Sequence, residues 1–545
     1  MPVLSFRFER LNSFLKRRLS KEKILEILPL LGLNIEDASD DEIKVEYSPN
    51  RPDYGSPAGI AKAINRFYFN EDPKIEFQLE RSDYKVYVDK NVKEIRPYII
   101  GMYAKLKLSE ETLKELISLQ EDLHDGIGRK RRKFAIGLHD ASKIKPPIYY
   151  TVEGPEFKFI PLYNDKPMSI QEILSQTEQG KLYAHLLKRK NLFPILKDSL
   201  DQVLSFPPII NGNLTMLTEE TQEIFVDITA NEVEQAEDAL AILATTLIDY
   251  GGKVYTVEIN FDNTKMETPN LTPRKIYLNN CNIKKILGIS LKSDEVIKAL
   301  RKVNMIGKTK DKQIEVFIPR YRIDILHEVD LIEEVGYGFG YDKLKPLPLT
   351  LHQNGRPLKI KRIVRDIREC LIGLGFIEVM TFYLANKDDQ ESFTENLIEV
   401  AEPKAKEYNV LRTAIVPQLL KVLSSNIHEP YPQKIFEIGR TFKLRDRDKS
   451  SIKEEIKIAA LTTHNESSFT EIKSVVIALL NYLGIKNYSF KAFVHPYFIE
   501  GRCAVIIKNN RRIGVLGEIS PFYLQKGGLR NPASGFEMDI ENMIL

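Results

Sequence analysis

No stretch of this sequence approaches the ~20 consecutive apolar residues of a membrane-spanning helix, and residues 1–9 lack the apolar core of a secretory leader. Cysteine is scarce. Cys281, Cys370 and Cys503 are too few and too scattered for a disulfide framework or a zinc cluster, so free thiols in a cytoplasmic setting are expected. Net charge is also small: 79 Lys and Arg against 76 Asp and Glu leave +3. No overall field can drive nucleic-acid binding, and any such contact must come from a local basic patch. The eight histidines form no HExxH pair, and P-loop and G-x-S-x-G signatures are missing. No segment is low-complexity and no solenoid period recurs. What remains is a globular composition, 43% hydrophobic and 28% charged, over 545 residues. At ~150 residues per domain that length suggests three or four domains.

Local patterns predict α+β texture. Ser20 is placed to cap a helix carrying Ile24, Leu25, Leu28 and Leu31, with Gly32 as its stop. A turn-rich cluster at 48–57 leads into an alanine-rich helix at 58–67. Residues 98–108 alternate like a strand, and Ser109 then caps a helix. Val233, Ala236, Leu240, Leu243 and Leu247 mark a longer helix that ends at Gly251-Gly252, before a strand at 255–261. Residues 262–273 read as a polar linker. In the following unit Ser293 caps a helix, and a hairpin-like stretch at 308–319 is compatible with a winged-helix module. A second linker spans 345–357, and the remainder alternates strand and helix.

Four stretches invite a chemical reading. In Arg322-Ile-Asp324 and the helix after it, Asp330, Glu333 and Glu334 stand at i, i+3 and i+4 and share one face, while Val329, Ile332 and Val335 take a buried one. Gathered carboxylates suit Mg²⁺; from the residues alone a solvated acidic face paired with Arg320 and Arg322 is the favoured reading. The basic run Arg129-Lys-Arg-Arg-Lys133 is either a grip for phosphates or a solvated loop. Gly336, Gly338 and Gly340 resemble a phosphate loop, but no strand–turn–helix surrounds them, and a helix end fits better. Small hydroxyls and a carboxylate follow apolar strands at 205–213 and 225–229, a pattern shared by pocket mouths and ordinary strand ends. His139 and Asp140 give no independent catalytic reading.

The passages SPNRPDYGSPAGIAKA (48–63), QEDLHDGIGRKRRKFAIGLHD (120–140), FPPIINGNLTMLTEETQEIFVDITAN (206–231), YRIDILHEVDLIEEVGYGFGY (321–341), VLRTAIVPQ (410–418) and IFEIGRTF (435–442) together resemble the phenylalanyl-tRNA synthetase β-subunit family in its short archaeal-type form. That resemblance implies an α+β multidomain chain. Its parts would be an N-terminal domain (1–82), a B3/B4 editing domain (83–265), a winged-helix-like, Mg²⁺-binding B5 domain (270–345) and an inactive class II synthetase-like module (356–545). The short form would lack the OB and ferredoxin-like tRNA-binding domains of the bacterial pattern. By the same resemblance Ser205, Asn211, Thr215, Asp227 and Thr229 form an editing pocket that hydrolyses Tyr-tRNA(Phe). Asp324, Asp330, Glu333 and Glu334 would hold a structural Mg²⁺. Residues 358–545 show no glycine-rich, arginine-ending ATP clamp, although Arg412 and Arg440 sit near motif-like positions. Phenylalanine activation, with the ATP it consumes, would belong to an α subunit in an α₂β₂ complex that charges tRNA(Phe) in the cytoplasm, with no membrane partner. A nucleic-acid-binding scaffold and a free-standing deacylase are the competing readings.

Overall fold

The computed structural model describes residues 2–187, 191–262, 264–311, 313–349, 354–391, 396–445 and 448–544. The chain forms two compact units, Met1–Leu347 and Pro348–Leu545. No helix among the described residues is long and apolar enough to cross a membrane.

Three sheets of three or more strands build the first unit, with a two-stranded ribbon, Lys158–Phe159 and Met168–Ser169, beside them in the chain. The first sheet sets the strand Glu42–Glu46 between Val3–Arg7 and Asn34–Ala38. Its inner face packs Leu4, Phe6, Ile43 and Val45 on Leu11, Ile24 and Leu28. The Ser20 hydroxyl accepts from the Lys23 amide and starts the helix Lys21–Ile27 as expected. Ser56 does the same for Pro57–Phe67, where proline at the first turn costs no hydrogen bond.

A ten-stranded mixed sheet dominates the unit. Strand Glu223–Ala230 runs antiparallel between Tyr98–Lys105 and Phe134–Asp140, which brings Asp227 opposite Gly101 on one side and Gly137 on the other. The helices Val233–Asp249 and Glu110–Asp125 cover one face, and a second apolar cluster around Tyr150, Leu196 and Phe225 fills the other. Tyr98–Lys105 is therefore buried along both faces, and the alternation read from its sequence does not correspond to an exposed side. The expected linker at 262–273 is partly strand: Thr264–Thr268 zips onto Lys253–Phe261.

The third sheet, Arg274–Leu278, Gln313–Ile318 and Ile306–Lys310, carries the helices Asn280–Leu287, Ser293–Lys302 and Glu328–Phe339. Ser293 is the first helical residue here, not the cap; its hydroxyl accepts from the Asn280 side-chain amide. Val329, expected on the buried face, is exposed, and Leu331, Ile332 and Val335 fill the core instead. Gly336 and Gly338 lie inside the last helix, so the glycine run is no phosphate loop. A Cβ at Gly338 would sit 2.0 Å from the Ala299 carbonyl oxygen, so glycine is what lets this helix lie directly against its neighbour.

The second unit is built on a seven-stranded sheet, antiparallel except where Ile377–Glu378 pairs parallel with Gln433–Arg445, with a small three-stranded sheet of Leu384–Ala385, Val410–Leu411 and Ile398–Glu399. The helices Lys359–Gly373 and Phe469–Tyr482 contribute to the core on one face, and Val416–Ser425 to the core on the other. Beside Ile377, 68% exposed, stand Met380 at 93% and Phe382 at 71%.

Candidate functional site

A cavity of about 440 Å³ opens beside strand Glu223–Ala230. Its walls are mostly apolar, with Leu138, Tyr183, Phe206 and Ile209 among them, and Ser205, Asn211 and Asp227 supply polar groups. Three of the residues expected in the pocket are thus on its wall. Thr215 and Thr229 are not: both are buried behind it. The Thr215 hydroxyl meets His139 Nδ1 at 2.8 Å, and His139 Nε2–H donates to Asp227 Oδ1 at 2.7 Å. Thr229 accepts at both its hydroxyl (3.0 Å) and its carbonyl (2.9 Å) from Arg96. The two threonines therefore support the wall and do not line the cavity: Thr229 shares the strand face of Asp227 but is covered by Arg96, and Thr215, in a short 3-10 turn, is held by His139.

His139 and Arg96 are the functional residues that the sequence left unmarked. His139 is wholly buried and lies 88 residues from the carboxylate it holds, so no local motif could couple them. Burial pushes the Arg96 guanidinium down to about 10. Gly137 completes the arrangement. A Cβ there would fall 2.2 Å from Asp227 Oδ1 and 2.6 Å from His139 Nε2, so only glycine leaves room for the pair. Among the described residues no hydrogen bond reaches Asp227 Oδ2, and the Ser205 hydroxyl is buried with no partner. Buried polar atoms are rarely left unpaired. A carboxylate oxygen and a hydroxyl on an apolar cavity suit a ligand that brings both a ring and a hydrogen-bonding group.

At the cavity edge the basic run forms a tight turn. Arg129, Lys130 and Arg131 take φ of 48°, 54° and 60°. Left-handed backbone costs ~1–2 kcal/mol per such residue, so the turn persists only because its surroundings fix it. Arg131 Nη1 donates to the Ile209 carbonyl at 3.0 Å, Nη2 pairs with Glu121 at 3.1 Å, and the guanidinium lies 4.4 Å from the Tyr183 ring centroid.

The acidic helix is organised differently from the expected ligand set. Arg322, only 2% exposed, turns inward and binds two of the four carboxylates bidentately. Its Nε and Nη2 donate to Asp324 at 2.9 and 2.6 Å, and its Nη1 and Nη2 to Glu334 at 3.1 and 2.6 Å. Burial opposes ionisation of Asp324, but the guanidinium outweighs it and holds the carboxyl below its ordinary range. Asp330 Oδ2 accepts from the Leu326 and His327 amides and caps the helix. Only Glu333 is left uncompensated; partial burial and then Glu334, Asp330 and Asp324 push its carboxyl up. No group of three or more potential ligands converges among the described residues. Of Asp324, Asp330, Glu333 and Glu334, the first and last thus share Arg322 as counter-ion, and the other two have no arginine partner among the described residues. Chemically, Glu333 and the free oxygen of Asp330 still fit Mg²⁺, which needs few protein ligands and keeps its waters.

In the second unit Arg412 is fully buried. Its Nη1 donates to Glu437 at 2.6 Å, Thr381 at 2.8 Å and Gln418 at 3.0 Å, and its Nε to the Arg440 carbonyl at 2.8 Å. Arg440 instead pairs with Glu454 at the surface. A polar cleft of about 530 Å³ on this unit holds Lys457 and Lys443. Glu537 and Glu455 already neutralise them. Arg412 is thus enclosed in a buried polar network, whereas Arg440 makes an exposed surface pair.

Comparison with known proteins agrees with this layout. Residues 276–341 match the tRNA synthetase B5 domain model, and residues 346–540 match the phenylalanyl tRNA synthetase beta chain CLM domain model. The phenylalanine–tRNA ligase beta subunit of Archaeoglobus fulgidus is 36% identical over 549 residues, which cover 99% of this chain and 98% of that one. The corresponding subunit of Methanocaldococcus jannaschii is 38% identical over 554 residues, 99% of this chain and 100% of its own. An N-terminal fragment of the phenylalanyl-tRNA synthetase beta subunit from Pyrococcus horikoshii superposes with a TM-score of 0.60 at 33% identity, covering 62% of this chain and 99% of the fragment. Full-length identity at this level, with both domain models in their places, means that the chain belongs to the phenylalanine–tRNA ligase beta subunit family.

Proposed function

We propose that the Asp227 cavity is a hydrolytic proofreading site that removes tyrosine from tRNA(Phe). The observation that carries this reading is Asp227 Oδ2, without a hydrogen bond among the described residues, on the wall of an apolar cavity. A site built for phenylalanine rejects a ring with one added hydroxyl only ~10²-fold. A second site that hydrogen-bonds that hydroxyl reverses the preference. Asp227 accepts from the phenol, Ser205 and Asn211 orient the aminoacyl group or the attacking water, and Thr215 and Thr229 hold the wall. An activated ester then needs only a placed water and a stabilised oxyanion. The test compares deacylation of Tyr-tRNA(Phe) and Phe-tRNA(Phe) by the assembled complex. At least ~10²-fold faster release of tyrosine is expected; equal rates for the two esters would refute the reading.

We further propose that activation of phenylalanine with ATP resides on an α subunit, and that this chain meets that subunit in an α₂β₂ complex through the exposed patch Ile377, Met380 and Phe382. Interfaces of the obligate class are apolar and bury more than ~2,000 Å². Mg²⁺ at Glu333 and Asp330 would supply positive charge to the two carboxylates that Arg322 does not bind, and its role would be structural. Sedimentation of the αβ complex reads both ideas. Phe382→Asp should abolish association, and Glu333→Gln should remove its Mg²⁺ dependence. Unaltered assembly of Phe382→Asp would remove the patch from the interface, and an unaltered Mg²⁺ midpoint in Glu333→Gln would remove the ion.

A further inference from the structure

We infer that the left-handed turn at 129–133 is a phosphate grip that holds the single-stranded 3′ end of the tRNA while its aminoacyl group occupies the Asp227 cavity. The inference rests on the hydrolytic reading of that cavity. Two of the five cations are spent internally: Arg131 pairs with Glu121, and Lys133 pairs with Glu232. Arg129, Lys130 and Arg132 are exposed and have no carboxylate partner among the described residues. Such a run on a mobile loop would be an ordinary solvated surface. Here the backbone is pinned from several directions. The Lys133 amide donates to the Gly128 carbonyl at 3.0 Å, the Asn231 side chain to the Arg132 carbonyl at 2.9 Å, and Arg96 to the Arg131 carbonyl at 3.4 Å.

The placement matters as much as the charge. Arg131 lines the cavity, so its exposed neighbours in the same turn stand beside the cavity edge. An aminoacyl ester reaching Asp227 carries its terminal nucleotides out past that edge, and those nucleotides bring phosphates to meet the cations. With a net charge of only +3 the chain has no general attraction for RNA; a local, fixed cluster is what its electrostatics require. The same half-buried guanidinium that anchors the turn, Arg131, also stacks on the Tyr183 wall, which ties the grip to the shape of the cavity.

The test uses the whole complex with Arg129→Gln/Lys130→Gln/Arg132→Gln. Two readouts are taken: Tyr-tRNA(Phe) deacylation, and anisotropy of a labelled single-stranded RNA oligonucleotide against salt. The variant should raise the KM for deacylation ~10-fold or more with kcat unchanged, and should lower the salt slope by ~2, at about 0.7 per phosphate contact on a single strand. Arg129→Lys/Arg132→Lys keeps the charges and should behave as wild type. An unchanged KM and salt slope in the glutamine variant would overturn the inference. So would loss of the α subunit from it, which would make the turn a protein contact. If even the wild type fails to deacylate while the salt slope still falls in the variant, the grip stands and the hydrolytic reading fails.

Discussion

Asp227→Ala in the assembled complex should slow hydrolysis of Tyr-tRNA(Phe) by ~10² or more while charging of tRNA(Phe) with phenylalanine stays within about twofold of wild type. The expectation follows from what the carboxylate is held for. Oδ1 is committed to His139 at 2.7 Å, and the imidazole is itself fixed by Thr215 at 2.8 Å. The chain leaves Oδ2 in one position on the cavity wall, at no cost in reorganisation when a phenol arrives. Phenylalanine offers nothing to that oxygen and would leave it buried and unpaired, which is a stronger rejection than any steric one. Hence the ratio of the tyrosyl to the phenylalanyl rate should collapse, beyond any change in the rate alone. His139→Gln should give an intermediate loss, because it removes the positioning group and leaves the acceptor. Gly137→Ala should resemble Asp227→Ala, since its Cβ needs the space that Oδ1 occupies. Wild-type selectivity in both Asp227→Ala and Gly137→Ala would place proofreading elsewhere.

Arg412→Met should lower the melting temperature of the second unit by roughly 6–20 °C. The figure combines ~3–5 kcal/mol for breaking a buried ion pair with ~2–4 °C per kcal/mol for a domain of this size. The guanidinium is fully buried, and its loss would strand the Glu437 carboxylate together with the Thr381 and Gln418 side chains. Gly439 reflects the same constraint: a Cβ there would lie 2.1 Å from Arg412 Nη2. Arg412→Met/Glu437→Leu should be less destabilised than either single change, because an apolar pair has no charge to strand. Calorimetry of the full chain decides the matter. An unchanged transition in Arg412→Met, with ATP–pyrophosphate exchange by the complex lost, would return this arginine to nucleotide chemistry.

The two arginines that the sequence placed beside chemistry, Arg322 and Arg412, both prove to be buried counter-ions, and for one reason. A sequence records that a guanidinium stands near carboxylates along the chain, but not which way the backbone aims it. Asp324 lies two residues from Arg322, and Glu334 twelve; one inward turn makes the guanidinium their shared counter-ion. Local physics, by contrast, was legible at several helix starts, though Ser293 proved to be a first helical residue and not a cap. Ser20 and Ser109 cap the helices they precede, as their sequence positions predicted, because a hydroxyl and an amide three residues on need nothing else. The cavity lay between these extremes. Ser205, Asn211 and Asp227 could be marked from the resemblance as pocket residues, and alternation along strand Glu223–Ala230 could have suggested that Thr229 shares a face with Asp227. What the strand pattern could not supply was the layer behind. Thr215, His139 and Asp227 are 76 and 88 residues apart. Only the antiparallel pairing of strand Phe134–Asp140 with Glu223–Ala230 brings the imidazole to the carboxylate. Sequence determined the family, the helix starts and the candidate polar groups, because these are written in short-range pattern. The tertiary fold decided which of those groups are free to act and which are spent on holding the structure, because burial and long-range pairing set that balance.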